Sequence, residues 1–257
     1  MHTDAAIVDL DGTVYRGDAL LPGAREGIAA LRDAGVAVLF FSNNPTRTPA
    51  DYAAQLTDLG IDTGPSDVLT SGTVTAAYLR ETHSDAAVFV VGEEGLRRQL
   101  SGNTLVDDPE SADVVVGSID REFTYERLTE AYRALDTAYA FIGTDPDRTI
   151  PAGEGRNLPG TGAILSAIST AAERDPTILG KPSRRAASAA LSELDVSPDR
   201  CLVIGDRLDT DVAMAGRAGM RSALVLTGAH GEPDIDRFED TPDYVLESLA
   251  AVENVVN

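Results

Sequence analysis

Two aspartates, Asp9 and Asp11, lie two residues apart where an apolar run ends, in the segment Asp9-Leu-Asp-Gly-Thr13. Ligands of open α/β sheets bind beyond the carboxyl ends of the strands, so two carboxylates there can converge on one ligand. Gly12 permits a sharp turn that brings backbone N–H groups toward the same point. A calcium loop of the EF-hand type would need further acidic positions that this segment lacks. The spacing favours a functional site in which both carboxylates face one ligand over a plain Asp-rich turn.

Two other segments carry groups suited to an anion. Ser42-Asn43-Asn44 follows an apolar run and precedes a helix, where a hydroxyl and backbone N–H groups can bind an anion or simply cap the turn. Lys181, in Gly-Lys-Pro-Ser183, is the single lysine of the chain, while the other 20 basic residues are arginines. A compact ammonium suits one phosphoryl group as a point charge. The alternative is a surface lysine without a role.

A second acidic cluster follows another apolar run, in Gly205-Asp-Arg-Leu-Asp-Thr-Asp211. Its three carboxylates could complement the dipole of the helix that begins there. They could equally supply hard oxygen ligands, which Mg²⁺ prefers together with water and phosphate. Both interpretations place Asp206 and Asp211 at the end of a strand.

The elements that position these residues alternate between short apolar runs and helix-periodic stretches, which predicts an α/β fold with a mainly parallel sheet. The runs 5–8, 36–41 and 202–204 are predicted strands, and Pro22 is predicted to open a helix that Gly35 ends. A second α/β unit interrupts this pattern. We predict a core of residues 1–82 and 178–257 with residues 83–177 inserted into it.

Composition limits the partners of this 257-residue chain. A net charge of −21 makes nucleic acid and anionic membranes poor partners. The sequence holds no apolar run long enough for a bilayer and no signal segment, which favours the cytoplasm. The one cysteine, Cys201, lies in an apolar run and is predicted to be a core residue. An acidic, lysine-poor chain indicates a halophilic protein, because the Debye length falls to about 3 Å at 1 M salt; an acidic mesophilic protein is the alternative.

The four motifs, in this order, resemble those of the haloacid dehalogenase superfamily of phosphatases. Their residue sequences resemble those of its NagD-like branch, subfamily IIA. The resemblance covers nearly the whole chain. It includes Gly143-Thr-Asp-Pro-Asp147 and Pro159-Gly-Thr-Gly162, which are similar to the cap domain of that branch. It implies a Rossmann-like core with an inserted cap of type C2.

The resemblance also implies roles for individual residues. Asp9 would be the nucleophile that becomes an aspartyl phosphate, and Asp11 would be the general acid and base. The implied Mg²⁺ ligands are the Asp9 and Asp206 carboxylates and the backbone carbonyl of Asp11, with Asp211 as a partner of the ligands. The implied binding groups for the phosphoryl oxygens are those of Ser42, Asn43, Asn44 and Lys181.

The implied activity is hydrolysis of a small phosphorylated metabolite. Phosphoglycolate, glycerol phosphate and sugar phosphates are the candidates, with nitrophenyl phosphate as an artificial substrate. Pyridoxal phosphate is disfavoured, because Ile150 stands where the enzymes acting on it carry a histidine; selectivity is expected from residues 149–157. Halide displacement would need neither Asp11 nor a metal, and a kinase would need a nucleotide loop. A non-catalytic sensor of phosphorylated metabolites on the same fold remains the alternative, and association with further copies of the chain is left open.

Overall fold

The computed structural model describes residues 2–151 and 157–256. Two compact units divide the chain. The core unit comprises residues 1–42, 49–69 and 181–257, and the second unit comprises residues 43–48 and 70–180. Among the described residues, no helix has the length and apolar character that crossing a membrane requires.

Strands and helices alternate along most of the chain. The strands are β1 (Ala5–Val8), β2 (Tyr15–Arg16), β3 (Ala19–Leu20), β4 (Ala37–Ser42), β5 (Val68–Thr70), β6 (Ala87–Val91), β7 (Thr104–Val106), β8 (Val114–Gly117), β9 (Ala140–Gly143), β10 (Thr149–Pro151), β11 (Asn157–Pro159), β12 (Thr177–Ile178), β13 (Cys201–Gly205), β14 (Arg221–Val225) and β15 (Tyr244–Leu246). The helices are α1 (Ala24–Asp33), α2 (Pro49–Asp58), α3 (Ser71–Thr82), α4 (Glu94–Gln99), α5 (Tyr125–Thr137), α6 (Thr161–Ala172), α7 (Arg184–Leu194), α8 (Ala213–Ala218) and α9 (Glu253–Val256). A single π-helical turn, Leu208–Val212, leads into α8.

The core unit is built on a six-stranded sheet with the order β15-β14-β13-β1-β4-β5. Its centre, β1, pairs in parallel with β13 on one side and with β4 on the other. All four residues of β1 and all five of β13 are buried, as expected for parallel strands covered on both faces. The predicted α/β class with a parallel sheet is therefore confirmed.

The first helix of the core begins two residues later than the sequence predicts. The sequence predicts that it opens at Pro22, whereas α1 begins at Ala24. Gly23 has a φ of 78°, in the left-handed region, so Pro22 and Gly23 belong to the preceding turn. Ala24, Ile28 and Leu31 then form the buried face of α1.

Cys201 opens β13 and is fully buried, as predicted. Burial raises the pKa of its thiol to about 12, so the sulfur stays protonated and packs as a small apolar group.

The second unit has its own five-stranded sheet, with the order β12-β9-β8-β6-β7 and parallel pairing throughout. Residues of α5 and α6 form an apolar cluster with β6, β8 and β9. Among the described residues, the segment 83–177 contributes no strand to the six-stranded sheet. The second unit also includes α3 and the whole of β12, so it extends beyond both predicted limits. The assignment of 83–177 as a substrate-selecting cap stays a prediction.

A buried carboxyl group lies just after β9, in the second unit. Asp145 is 2% exposed, and its Oδ2 accepts hydrogen bonds of 2.9 Å from the hydroxyls of Thr144 and Thr161. Its Oδ1 accepts a bond of 3.2 Å from the backbone N–H of Asp147. Burial, together with the nearby Asp147 carboxylate, raises the pKa of Asp145 to about 8 against these bonds. The folded unit therefore favours a protonated Asp145.

We expect Asp145→Asn to stabilise the protein more at pH 8 than at pH 5. A carboxyl whose pKa is higher in the folded than in the unfolded chain contributes stability that is complete below pH 3.8 and is lost as the pH rises through about 8. Asparagine is neutral throughout and avoids this loss. Thermal unfolding at the two pH values measures the difference, with the exposed Asp136→Asn as control. An equal effect of Asp145→Asn at both pH values would contradict the expectation.

Candidate active site

The central strands of the core unit bring the predicted site residues to one edge of the sheet. In the parallel register Val8 lies opposite both Phe40 and Ile204. Continuing this register places Asp9 beside Phe41 and Gly205, with Ser42 and Asp206 one residue further along their chains. Asp9 follows β1, Ser42 ends β4, and Asp206 follows β13. This edge carries the carboxyl ends of the strands, where ligands of α/β sheets bind.

Lys181 lies at the centre of this edge. Its Nζ is 2.5 Å from Asp9 Oδ1 and 2.6 Å from Asp211 Oδ1, and it donates a bond of 3.0 Å to the Phe41 carbonyl. Burial would lower the pKa of the ammonium, but the Asp211 and Asp9 carboxylates raise it above its ordinary value. The ammonium is therefore held in its charged form. Lys181 is buried and forms an ion pair with Asp9, so the alternative of a surface lysine is wrong.

Asp9 is the most accessible member of this trio. Its side chain retains 12% exposure, whereas the side chains of Lys181 and Asp211 retain 2% and 1%. Burial raises the pKa of Asp9, and the Lys181 ammonium opposes that rise. The Asp9 carboxylate is thus partly accessible and is held by Lys181, whose ammonium is in turn held by Asp211.

Three carboxylates converge at the site. Asp9, Asp206 and Asp211 each place an oxygen within 4.8 Å of the others. Asp206 Oδ2 accepts a bond of 2.6 Å from the Ala229 N–H, while its buried Oδ1 has no hydrogen-bond partner among the described residues. Burial and the Asp9 and Asp211 carboxylates raise the pKa of Asp206 well above its ordinary value. Because buried polar atoms are normally paired, this carboxylate oxygen is suited to bind a cation.

The charges and the type of the donor atoms fit a divalent cation. With the three aspartates ionised, Lys181 cancels one of three negative charges, and two remain. Carboxylate oxygens are the ligands that hard divalent cations prefer. Glycine is required around Asp206, because a Cβ on Gly12 would lie 2.3 Å, and one on Gly228 1.8 Å, from Asp206 Oδ2. A buried acidic cluster suited to a divalent metal is therefore present.

Asp11 and Asp211 have distinct surroundings. Asp11 is half-buried and bridges to Tyr15 through the backbone, and the charge of its carboxylate contributes to raising the pKa of Asp9. Asp211 accepts bonds from Lys181 and from the Arg207 N–H, the latter at 3.2 Å. These bonds suit the predicted supporting role of Asp211, although its carboxylate also lies within the acidic cluster. The individual roles remain predictions.

The predicted phosphate-binding segment is divided between the two units. Ser42 belongs to the core unit, where its hydroxyl is buried and donates a bond of 3.3 Å to the Tyr52 hydroxyl. Asn43 and Asn44 belong to the second unit. The Asn43 carbonyl accepts a bond of 2.6 Å from the Ser71 hydroxyl, and Asn44 Oδ1 accepts one of 3.1 Å from the Thr46 N–H. The Asn44 side chain thus caps a turn; phosphate binding by all three residues stays a prediction.

A fifth segment, residues 227–230 after β14, joins the site without having been predicted. The Thr227 hydroxyl donates a bond of 2.6 Å to the Gly12 carbonyl, and the N–H of Ala229 binds Asp206. His230 Nδ1 accepts a bond of 2.9 Å from the Leu208 N–H. The sequence signal for this segment is weak: Thr-Gly-Ala-His directly follows the apolar run 223–226. A threonine and a glycine in a loop are common, however, and do not by themselves indicate a site.

Comparison with known proteins agrees with this geometry. The model of the haloacid dehalogenase-like hydrolases matches residues 6–105, and a second model of hydrolases of this kind matches residues 178–252. The sugar-phosphatase AraL of Bacillus subtilis is 37% identical over 96% of this chain and 90% of its own. A 4-nitrophenylphosphatase structure from Thermotoga maritima has a TM-score of 0.91 at 34% identity, covering 99% of this chain and 98% of its own. NagD from Escherichia coli K-12 has a TM-score of 0.86 at 29% identity, covering 97% and 98%.

The matches span the strands and loops that carry the acidic cluster and Lys181. The sequence identity to AraL and to the Thermotoga maritima phosphatase exceeds 30% over nearly the full length, and the fold of the latter is the same. The similarity to phosphatases of this family therefore covers the whole chain. The chain therefore belongs to the haloacid dehalogenase-like hydrolase family and is a NagD-like phosphatase within it.

Proposed function

We propose that this protein hydrolyses a small phosphate monoester through an aspartyl-phosphate intermediate on Asp9, with Mg²⁺ as its cofactor. The observation that carries the proposal is the arrangement of Asp9, whose accessible carboxylate is fixed by Lys181 and lies within 4.8 Å of two further carboxylates. A carboxylate that is oriented and still partly accessible is what covalent phosphoryl transfer requires.

The reaction proceeds in two displacements. In the first, a carboxylate oxygen of Asp9 bonds to phosphorus while the ester P–O bond breaks, and Asp11 gives its proton to the departing oxygen. In the second, water attacks the phosphorus, Asp11 takes a proton from that water, and the bond to Asp9 breaks. The products are the free alcohol and inorganic phosphate, and both carboxyls return to their initial state.

Lys181 supplies fixed positive charge during both displacements. Its ammonium contacts Asp9 directly and is locked by Asp211 and the Phe41 carbonyl. Phosphoryl transfer depends mainly on positioning and on neutralising the charge of the phosphoryl oxygens. A lysine already oriented at the nucleophile requires no rearrangement when that charge arrives.

The residues for the cation are the carboxylates of Asp9 and Asp206 and the backbone carbonyl of Asp11, supported by Asp211. A bound Mg²⁺ supplies charge neutralisation at the phosphoryl oxygens and helps to keep Asp9 ionised against the effect of its burial. Mg²⁺ is preferred among hard cations, because it is typically bound through one or two carboxylates plus substrate phosphate oxygens.

For the substrate we propose a sugar phosphate, with phosphoglycolate and glycerol phosphate as the other candidates. Beside AraL, an acid sugar phosphatase of Staphylococcus epidermidis is 35% identical over 96% of both chains. The 5'-nucleotidase YutF of Bacillus subtilis is 34% identical over 95% of this chain and 94% of its own. Most of the predicted selectivity loop, residues 152–156 of 149–157, lies outside the described residues. Phosphate release from a panel of sugar phosphates, glycerol phosphate, phosphoglycolate and nucleoside monophosphates, in low and molar salt, tests the substrate and the halophilic interpretation together.

Rapid mixing of the protein with an excess of nitrophenyl phosphate separates an enzyme from a binding protein. The proposal expects stoichiometric release of nitrophenol followed by continued turnover when Mg²⁺ is present. Binding of phosphate esters without any release of nitrophenol would favour the non-catalytic alternative and overturn the proposal.

Chelation of divalent cations is expected to abolish activity, and added Mg²⁺ is expected to restore it. Asp206→Ala should raise the Mg²⁺ concentration for half-maximal activity at least about tenfold, because it removes a buried carboxylate of the cluster. Asp209→Ala is the matched control, since that carboxylate pairs with Arg207 in the same loop and lies outside the cluster. Full activity in excess chelator would show that the metal assignment is wrong.

A further inference from the structure

The loop that carries Asp11 turns at a residue with unusual backbone freedom. Gly12 has a φ of 90°, in the left-handed region that glycine adopts at little cost. The same freedom allows Gly12 many other conformations, so the direction of the preceding Asp11 side chain depends on contacts that fix the Gly12 backbone. A general acid must meet the leaving oxygen within hydrogen-bonding distance, and a displacement of 1 Å can cost roughly 10²-fold in rate.

Both polar groups of the Gly12 backbone are fixed. Its N–H donates a bond of 2.8 Å to the Tyr15 carbonyl, within the turn itself. Its carbonyl accepts a bond of 2.6 Å from the Thr227 hydroxyl, which comes from the loop after β14, 215 residues away in the sequence. The Gly12 backbone is thus held by one local contact, to Tyr15, and by one tertiary contact, to Thr227.

Thr227 is itself held in place, and its neighbours reach the other acidic strand end. The Arg16 guanidinium donates a hydrogen bond to the Thr227 carbonyl. The N–H of Ala229 binds Asp206 Oδ2, and Gly228 lies so close that a Cβ would overlap this carboxylate. One short segment therefore spans the loop of Asp11 and the loop of Asp206.

We propose that Thr227 is a positioning residue for the general acid Asp11, acting through its hydrogen bond to the Gly12 carbonyl. The proposal rests on the proposed function of Asp11 and assigns to Thr227 no contact with substrate. Loss of the Thr227 hydroxyl should therefore slow the hydrolysis of esters whose leaving group must be protonated more than that of other esters. An alkoxide leaves slowly unless it is protonated, whereas nitrophenolate is a stable anion that leaves without a proton.

The test compares two leaving groups in Thr227→Val, which removes the hydroxyl at nearly constant shape. We expect kcat/KM for glycerol phosphate to fall about 100-fold and that for nitrophenyl phosphate to fall less than about fivefold. Thr227→Ser keeps the hydroxyl and should restore both values to within about threefold of the wild type. A shift in Tm caused by Mg²⁺ should persist in all three proteins, because each retains the carboxylates of Asp9, Asp206 and Asp211.

Two reference variants distinguish the alternatives. Thr3→Val removes the hydroxyl of a buried threonine elsewhere in the core unit, one that accepts a bond of 2.6 Å from Arg221, and should show no dependence on the leaving group. Asp11→Asn removes the acid itself and should show the same dependence as Thr227→Val in stronger form. If Thr227→Val does not fold, Thr227→Ala removes the same hydroxyl with less bulk.

Equal losses of kcat/KM for both substrates in Thr227→Val, or no loss at all, would overturn the proposal for Thr227. If Asp11→Asn still showed a leaving-group dependence, the general-acid role of Asp11 would stand. Equal losses in Asp11→Asn would instead refute the general-acid role, and the proposal for Thr227 with it. The two failures are therefore distinguishable from one set of measurements.

Discussion

Asp9→Asn is expected to lower kcat by at least about 1,000-fold while the protein remains folded. The amide has nearly the shape of the carboxylate but is a poor nucleophile, so covalent transfer to residue 9 stops. Folding should not suffer, because Lys181 keeps its 2.6 Å contact with Asp211 and the buried cluster loses one of its negative charges. Steady-state hydrolysis of nitrophenyl phosphate, with thermal unfolding in parallel, measures both effects.

The intermediate itself provides the control for Asp9→Asn. Wild-type protein quenched in acid during turnover should carry a phosphoryl group on the peptide that contains residue 9, and the variant should not. A variant that retained more than about a thousandth of the wild-type rate, or a phosphorylated peptide from elsewhere in the chain, would show that nucleophilic catalysis by Asp9 is wrong.

Lys181→Arg is expected to lower kcat severely, by about 100-fold or more, although the positive charge is retained. The ammonium makes three bonds of 2.5–3.0 Å to Asp9, Asp211 and the Phe41 carbonyl inside a space that leaves it 1% exposed. A planar guanidinium is larger and directs its donors in a fixed fork, so it cannot occupy this position with the same contacts. Comparison of kcat with KM should show that the chemical step suffers at least as much as substrate binding.

Lys181→Ala tests the charge rather than the shape, and its effect on folding needs a separate control. Removing one partner of a buried ion pair costs about 3–5 kcal/mol, because the remaining carboxylates lose their counter-charge. The double variant Lys181→Met/Asp211→Asn removes one charge of each sign and should recover stability without recovering activity. Near-wild-type kcat in Lys181→Arg, or activity restored in the double variant, would contradict the role of Lys181.

Much of the core could be predicted from the sequence, because local patterns carry it. The runs 5–8 and 202–204 are continuous and apolar, and such runs are typical of parallel strands buried on both faces. Asp9 and Asp206 directly follow these strands, so the carboxyl-edge rule for α/β sheets was enough to bring them together. Composition alone singled out Lys181, and the structure places it against Asp9.

Other features needed the tertiary structure, because they depend on contacts between residues far apart in the chain. The sequence could not show that Asp211 shares the Lys181 ammonium with Asp9, since that requires the π-helical turn after β13 to direct residue 211 back toward the sheet. It also placed Ser42, Asn43 and Asn44 in one motif, whereas the packing divides them between two units.

The sequence by itself determined the acidic strand ends, the parallel sheet and the single lysine, because each follows from residue type and local spacing. Only the tertiary structure decided that Thr227 fixes Gly12 and that Gly228 and Ala229 enclose Asp206. The physical reason is that a hydroxyl, a glycine and a backbone N–H have ordinary chemistry, which becomes specific only through distance and direction. Parallel pairing of β13 with β14 sets those distances, and no local pattern in the segment 227–230 encodes them.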